Sequence, residues 1–587
     1  MSLDIRAGFS DRTLFVTGGT GFLGKVLLYK IFKETPDVKR IYLLMRGKRS
    51  RRLKRYLNAQ ERLDLEVLGS PCFEPLRQKI GDAKWRELCQ KVKAMQGDIT
   101  LDHVGLSEQD RTTLASEANF IIHLAATVNF NERLDLAVQM NTLGGLRVLA
   151  LAKTCRHLEA MVHVSTCYVN YRRRGSGQVT EERIYPLEFD AEEMCKRVLG
   201  MNSGEVESQS AVLLKEYDFP NTYTFTKCIG EQLIYKYKES VPVVVVRPSI
   251  VGCSYSDPFP GWVDALTAAG GLLLTVSLGV VREVLCNPDL VADVVPVDHV
   301  VNVILKALFK TQQHYKARRL RAAAAEGGEA AMAPPEAVAG AVRGGGAVRL
   351  PISVKAGDVA GGNVETSGGA AVAGDGGALA VAETAAPAAD DLASGAATTE
   401  ADEGLPFIYQ AATSGSENRT TWGRVQAALA DYMKGKRHPK GLSPMGLTMT
   451  TNPQYYRARY YILRYMPYVA LRSLMQMPPP IGSAKKLELV NKLGRAVRRA
   501  DLLTWEFLDF TLNEWIYASA NTSRLDEGLN EHSRKAYTFD PYAINWYAYT
   551  QVYAYGIFKH IIRETADFQM PVVPPSATEV FERASSL

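Results

Sequence analysis

TLFVT at Thr13–Thr17 runs directly into GGTGFLG at Gly18–Gly24, and KVLLYKIF at Lys25–Phe32 follows with the apolar spacing of an amphipathic helix. Strand, glycine turn and helix in that order read as the pyrophosphate turn of a dinucleotide-binding fold. Gly18, Gly21 and Gly24 permit a tight turn and close backbone approach to phosphate, while the helix start offers free N–H groups and a positive dipole. Three spaced glycines alone would be a weak sign; their position between a strand and a helix gives them meaning. Thr20, Phe22 and Leu23 complete the turn and are counted with the cofactor site.

Outward from this turn, Arg40–Met45, Phe120–Leu124, Met161–Ser165 and Val243–Arg247 are near-continuous apolar runs, as expected of strands covered on both faces. Alternating with helical patterns over the first ~310 residues, they predict an α/β fold, a Rossmann-type doubly wound parallel sheet. The second strand ends at Met45, where an NAD-specific site would offer an acid to the ribose 2′-hydroxyl, yet Arg46 stands there with Lys48 and Arg49 close behind. Cations at that place favour the 2′-phosphate of NADPH, although a charge run such as Lys48–Arg55 also suits a solvated loop. Farther on, Gly97-Asp98-Ile99 follows a weak strand and His123-Leu-Ala-Ala126 ends the fourth, so Asp98, Ile99 and Ala125 are placed along the cofactor. His123 reads as a packed histidine.

The chain has 587 residues, 46% hydrophobic and 22% charged, with a net charge of +6. That is ordinary globular composition for two or three domains, and the charge gives no argument for nucleic acid. Eight cysteines, the last at Cys286, form neither a CxxC pair nor a zinc-ligand spacing, so reduced thiols, an intracellular setting and no metal are expected. Arg6, Asp11 and Arg12 break up the N-terminal region, leaving no evident secretory signal. Ala265–Val281 lacks charge but is about 17 residues long and contains Gly270, Gly271 and Gly279, which suits a buried segment near the substrate better than a membrane span. From 321 to 403 the composition collapses to Ala, Gly, Val and acids, which predicts a disordered insert. The expected organisation is therefore a nucleotide-binding domain over 1–320, the insert, a return to that domain over 404–440 with PFIYQAATSG as its last strand, and a helical domain over 441–587.

Tyr223 and Lys227 form YxxxK, which puts both side chains on one helix face. An ammonium beside a phenol is expected to lower the tyrosine from its usual ~10 and make it a proton donor near neutral pH. TGGTGFLG, GDIT, HLAATVNFNERLD, NTLGGLRVLALAK, HVSTCYVN, YTFTK and RPSIVG, over residues 11–310, resemble the reductase domain of fatty acyl-CoA reductases, which are extended short-chain dehydrogenases. WEFLDFTLNEWIYASANTSRL at Trp505–Leu525 and FDPYAINWYAYTQVYAYGIFKH at Phe539–His560 are similar to that family's C-terminal male-sterility domain. The resemblance implies NADPH-dependent reduction of long-chain acyl-CoA to a fatty alcohol. It assigns carbonyl polarisation to Ser165 with Thr166 as the alternative, proton donation to Tyr223, and ribose binding to Lys227. It places Pro248 and Ile250 at the nicotinamide, and gives Asn141 either an ordering role near the lysine or a plain helix N-cap. SLGVVRE departs from the Gly-Lys-Gly turn of many relatives, so no chain-length preference carries over.

Tyr455–Tyr468 interleaves aromatics with Arg457, Arg459 and Arg464, which reads first as a helix packing its rings into the domain and second as a peripheral membrane contact. Ser-Ser-Leu at the end is a loose relative of a peroxisomal address; the endoplasmic-reticulum surface and plastid stay open. Competing functions are an aldehyde-forming reductase of the same fold and a nucleotide-sensing interaction protein; an intact Ser165, Tyr223 and Lys227 speaks against the latter. The composition of the insert gives one prediction: deleting 321–403 behind a short flexible linker should leave turnover within roughly a few-fold. Loss of soluble, folded protein on deletion would contradict it.

Overall fold

The structure, a computed structural model, describes residues 2–571 apart from 51–52, 176, 267, 326–404, 437, 440, 479 and 564–567. The insert expected at 321–403 thus falls almost wholly outside the described residues, its first residues continuing a helix that ends at Ala325. Seven strands build the main sheet: β1 (Thr13–Thr17), β2 (Arg40–Met45), β3 (Val92–Gln96), β4 (Phe120–His123), β5 (Ala160–Val164), β6 (Val243–Pro248) and β7 (Ile408–Ala411). All pair in parallel in the order β7-β6-β5-β4-β1-β2-β3. This is the doubly wound Rossmann arrangement with a seventh strand added after residues 326–404.

Parallel strands need crossovers, and α1 (Phe22–Glu34), α2 (Gly144–Thr154), α3 (Thr222–Tyr237) and α5 (Val297–Ala325) supply the layers, while α4 (Ala268–Ser277) packs away from the sheet. The period of two sorts side chains between the faces. Leu14, Val16, Phe120, Ile122 and Val162 pack with α1 and α5, while Phe15, Ile121 and Met161 pack with α2 and α3. Each such side chain, fully buried, contributes about 1.5–3 kcal/mol. A buried ion pair fixes α3 against the sheet: Arg247 on β6 donates from Nε and Nη2 to Glu231, both nearly inaccessible.

The C-terminal part is mainly helical, with α6 (Trp422–Met433), α7 (Pro453–Tyr460), α8 (Met466–Met475), α9 (Ala484–Glu506) and α10 (Trp546–Gly556). It also returns strands to the first part: Thr448–Thr450 pairs with Glu283–Leu285, and Ile516–Tyr517 with Val179–Thr180. α4 is a ten-residue helix whose Leu273, Leu274 and Val276 are buried in the cluster that holds Tyr432 and Tyr553. Among the described residues no helix is long and apolar enough to cross a membrane.

Candidate active site

The carboxyl ends of β1 and β4 diverge where the chain order reverses, and the glycine turn fills that crevice. Gly18 has φ +76°, and a Cβ there would lie 2.8 Å from the Ala125 backbone nitrogen. A Cβ on Gly24 would lie 2.5 Å from the Gly18 carbonyl oxygen. Gly21 is the N-cap of α1 with no side-chain cap, so the first amides of that helix, from Phe22, Leu23 and Gly24, lack side-chain acceptors. Thr20, Phe22 and Leu23 are half-buried around the turn. The close backbone packing at Gly18 and Gly24 keeps the turn tight, and the free N–H groups at the start of α1 are what a pyrophosphate requires. The Ala125 N–H donates to Thr17 Oγ1 at 3.2 Å, which fixes the opposite wall.

Arg46 follows β2 with its side chain 61% exposed, and Nη1 lies 3.4 Å from Asp98 Oδ2. Asp98 keeps its other oxygen for the N–H and hydroxyl of Thr100. Two residues singled out separately in the sequence thus form one exposed edge. Lys48 and Arg49 lie beyond it, in a short hairpin with Arg55–Leu57. Ile99 is buried, its carbonyl accepting from Arg147. Among the described residues no cluster of His, Cys, Asp or Glu could hold a metal ion.

Ser165 immediately follows β5, with its N–H donating to the Val246 carbonyl at 2.8 Å. Its Oγ is buried and has no hydrogen-bond partner. Thr166 differs: its Oγ1 accepts from the Tyr168 N–H at 3.3 Å, faces the Pro248 carbonyl at 3.4 Å and also contacts the Tyr223 phenol. The geometry leaves Ser165 as the unengaged hydroxyl. Pro248 ends β6 and the half-buried Ile250 follows, its N–H bonded to the Asp293 carbonyl.

α3 presents Tyr223 and Lys227 as their spacing predicts, but the expected lowering of the phenol is not there. Burial pushes Tyr223 up to about 12, with the Thr166 hydroxyl pulling the other way. Lys227 turns to the sheet and donates from Nζ to the Val164 carbonyl at 2.8 Å, and burial brings it down to about 8 against the opposing pull of Glu231. The reason is competition: a buried ammonium bonds the strong backbone acceptor within reach. Asn141 is not an N-cap. It sits in a π-turn between helical segments, where Oδ1 accepts from Thr127 N–H and Nδ2 donates to the Thr127 carbonyl and Thr226 Oγ1. It ties the loop after β4 to α3. His123 is packed: Nδ1 lies 2.7 Å from Thr17 Oγ1, the ring stacks on His163 at 5.1 Å, and burial holds it down to about 3.

The sequence reading missed the wall over Tyr223. Phe130 stacks on that ring at 6.0 Å and is itself covered by Phe507 at 5.8 Å and Phe510 at 5.7 Å. Tyr171 Oη donates to Asp509 at 2.9 Å, and Trp515 Nε1 donates to the Tyr171 carbonyl at 3.2 Å, pinning the segment in place. The density of aromatics between Trp505 and Trp515 was the available signal.

A phosphate turn at the switch point, with a serine, tyrosine and lysine at the ends of β5 and α3, defines a nicotinamide-dependent reductase of the extended short-chain dehydrogenase class. Two family profiles, both described as male sterility protein, match residues 16–304 and 480–564. Together they span more than half of the chain, and the chain belongs to that family. It is 34% identical to the probable fatty acyl-CoA reductase 5 of Arabidopsis thaliana and to the fatty acyl-CoA reductase 2 of Homo sapiens, each over 53% of this chain. Those alignments span 66% and 57% of the two relatives. Similarity to the fatty acyl-CoA reductase 1 of Xenopus laevis, at 26% identity, extends over 96% of this chain and 87% of that protein.

The lysine gives a pH prediction. Lys227 is charged below about 8 and loses its proton as the pH rises through that value. If the ammonium is the working form, kcat/KM, which reports the free enzyme, should be level below that point and fall about tenfold per pH unit above it. Lys227→Arg should move the alkaline limb beyond the measurable range. A limb unmoved by that substitution would assign it to another group.

Proposed function

We propose that the chain reduces long-chain fatty acyl-CoA to the primary alcohol through an aldehyde, with NADPH as reductant. The observation that carries this reading is the buried, unpartnered Ser165 Oγ beside the Tyr223–Thr166 pair, in a chain whose relatives are named fatty acyl-CoA reductases. In this reading residues 1–320 with 404–440 perform the chemistry, and the Phe507–Trp515 segment of the helical domain at 441–587 covers the reacting end.

The Gly18–Gly24 turn and Arg46 would hold NADPH, which when bound would supply the hydride that the carbonyl carbon takes up. Ser165 donates a hydrogen bond to the carbonyl oxygen, where negative charge grows. Tyr223, protonated at neutral pH because burial holds it near 12, then gives that oxygen its proton. The product is a hemithioacetal. Breaking its C–S bond releases coenzyme A as the thiol and leaves the aldehyde. The same serine and tyrosine serve a second reduction, giving the alcohol, so two NADPH are oxidised per thioester. Lys227 holds the nicotinamide ribose, while Phe130, Phe507 and Phe510 keep water from the phenol.

Tyr223→Phe should cut turnover by ~10²–10⁴ for acyl-CoA and for added fatty aldehyde alike, with little change in NADPH affinity. Retained aldehyde reduction would exclude a single shared site, and one NADPH consumed per thioester with no use of aldehyde would make the enzyme aldehyde-forming. Arg46→Ala should weaken NADPH binding by roughly ten- to a hundredfold and leave NADH binding nearly unchanged, since one charge-assisted phosphate contact is lost. Equal losses for both cofactors would remove Arg46 from that role.

A further inference from the structure

α7, the π-helical stretch Tyr461–Tyr465 and α8 form one helical run that is anchored on one side only. Tyr456 is buried and donates from Oη to Asp501 at 2.6 Å, and Tyr468 is buried where a Cβ on Gly494 of α9 would lie 2.2 Å from its ring. The opposite side is apolar and open. Tyr461, Ile462 (61% exposed), Leu463, Met466 (63% exposed), Leu474 and Ile481 all face outward. The packing expected from the aromatic spacing thus holds for Tyr456 and Tyr468 but not for Tyr461 and Tyr465. Soluble monomers seldom leave so many large apolar side chains together in water.

The charge around this face is as uneven as its hydropathy. Residues 453–499 contain ten Arg and Lys and one Glu, whereas the whole chain is only +6, so the remainder is net negative. Arg472, Lys485, Lys486, Arg495 and Arg499 are exposed and make no ion pair among the described residues.

We propose that this face docks on an anionic lipid surface, with the α7–α8 apolar residues in the acyl boundary and the α8–α9 cations at the headgroups. Lipid satisfies both properties at once, because tyrosine and long cationic side chains sit naturally at the boundary between hydrocarbon and water. Nucleic acid would use the charge but leave Ile462, Leu463, Met466 and Ile481 in water. A second copy would bring two strongly positive faces together. α9 leads from its basic N-terminal half to Phe507 and Phe510 at the Tyr223 wall, so the docked face and the reaction chamber share one helix.

The test is flotation of the full chain with vesicles, which needs no acyl-CoA and is separable from the chemistry proposed above. Binding to phosphatidylcholine vesicles containing about one third phosphatidylserine is expected, with little binding to phosphatidylcholine alone and loss at high salt. The triple variant Ile462→Ser, Leu463→Ser, Met466→Ser and the pair Lys485→Glu, Lys486→Glu should each lower binding by about tenfold or more. Their melting temperatures, and turnover in vesicle-free solution, should match the parent, because these side chains are exposed and distant in sequence from the reaction residues. Failure of the parent to float with anionic vesicles, parent-like flotation of both variants, or a parent dimer that the triple variant dissociates would each overturn the proposal.

Discussion

The crevice between β1 and β4 is the constraint on which the rest depends. A parallel sheet that winds outward in both directions from β1 leaves one gap at its carboxyl edge, and there Gly18 approaches Ala125 too closely for any Cβ. That approach requires glycine at φ +76° and leaves the first amides of α1 beside the gap. The rest of the candidate site is then measured from the same edge. Ser165 lies two strands away, and Tyr223 and Lys227 arrive on the helix that crosses from β5 to β6.

Electrostatics at this edge follow from burial more than from pairing. Three basic groups meet behind the site, His123, His163 and Lys227, and three charges cannot be accommodated together in so little water. Burial keeps both histidines neutral, with Lys227 adding to the effect, and moves Lys227 itself down to about 8. One cation remains near neutrality, held on the Val164 carbonyl. Glu231 lies one turn farther along α3, but Arg247 takes its carboxylate, so it steadies the lysine without neutralising it. The phenol, pushed up to about 12 by burial, keeps its proton at neutral pH.

The sequence was most informative where periodicity and local geometry act alone. The five strand runs, the glycine turn and the shared face of Tyr223 and Lys227 depend on neighbours a few residues away, and the structure differs from their expected limits by about a residue. Choices decided by distant partners were not legible. Nothing in HVSTCYVN says that Thr166 would be engaged by Tyr168 and Pro248 while Ser165 stays free. Spacing put Lys227 beside Tyr223, but the carbonyl it bonds belongs to a strand far upstream. The helical run at 453–475 carries aromatics all round, so its pattern alone could not tell the face toward α9 from the face toward solvent.

The C-terminal part explains why a reductase of this class carries a second region at all. The Rossmann half carries the glycine turn, Ser165, Tyr223 and Lys227, but its edge at Tyr223 would be open to water. Phe507 and Phe510 close that edge by covering Phe130, and the Tyr171–Asp509 and Trp515–Tyr171 hydrogen bonds hold them to the loop after β5. Two short strand pairings, at 448–450 and 516–517, lock the halves so that the cover cannot drift independently. A thioester reduced twice passes through an aldehyde, which escapes or hydrates wherever the chamber is wet. Under the function proposed above, aromatic cover over Tyr223 would help retain that intermediate, and it is supplied by chain more than 270 residues downstream of Tyr223.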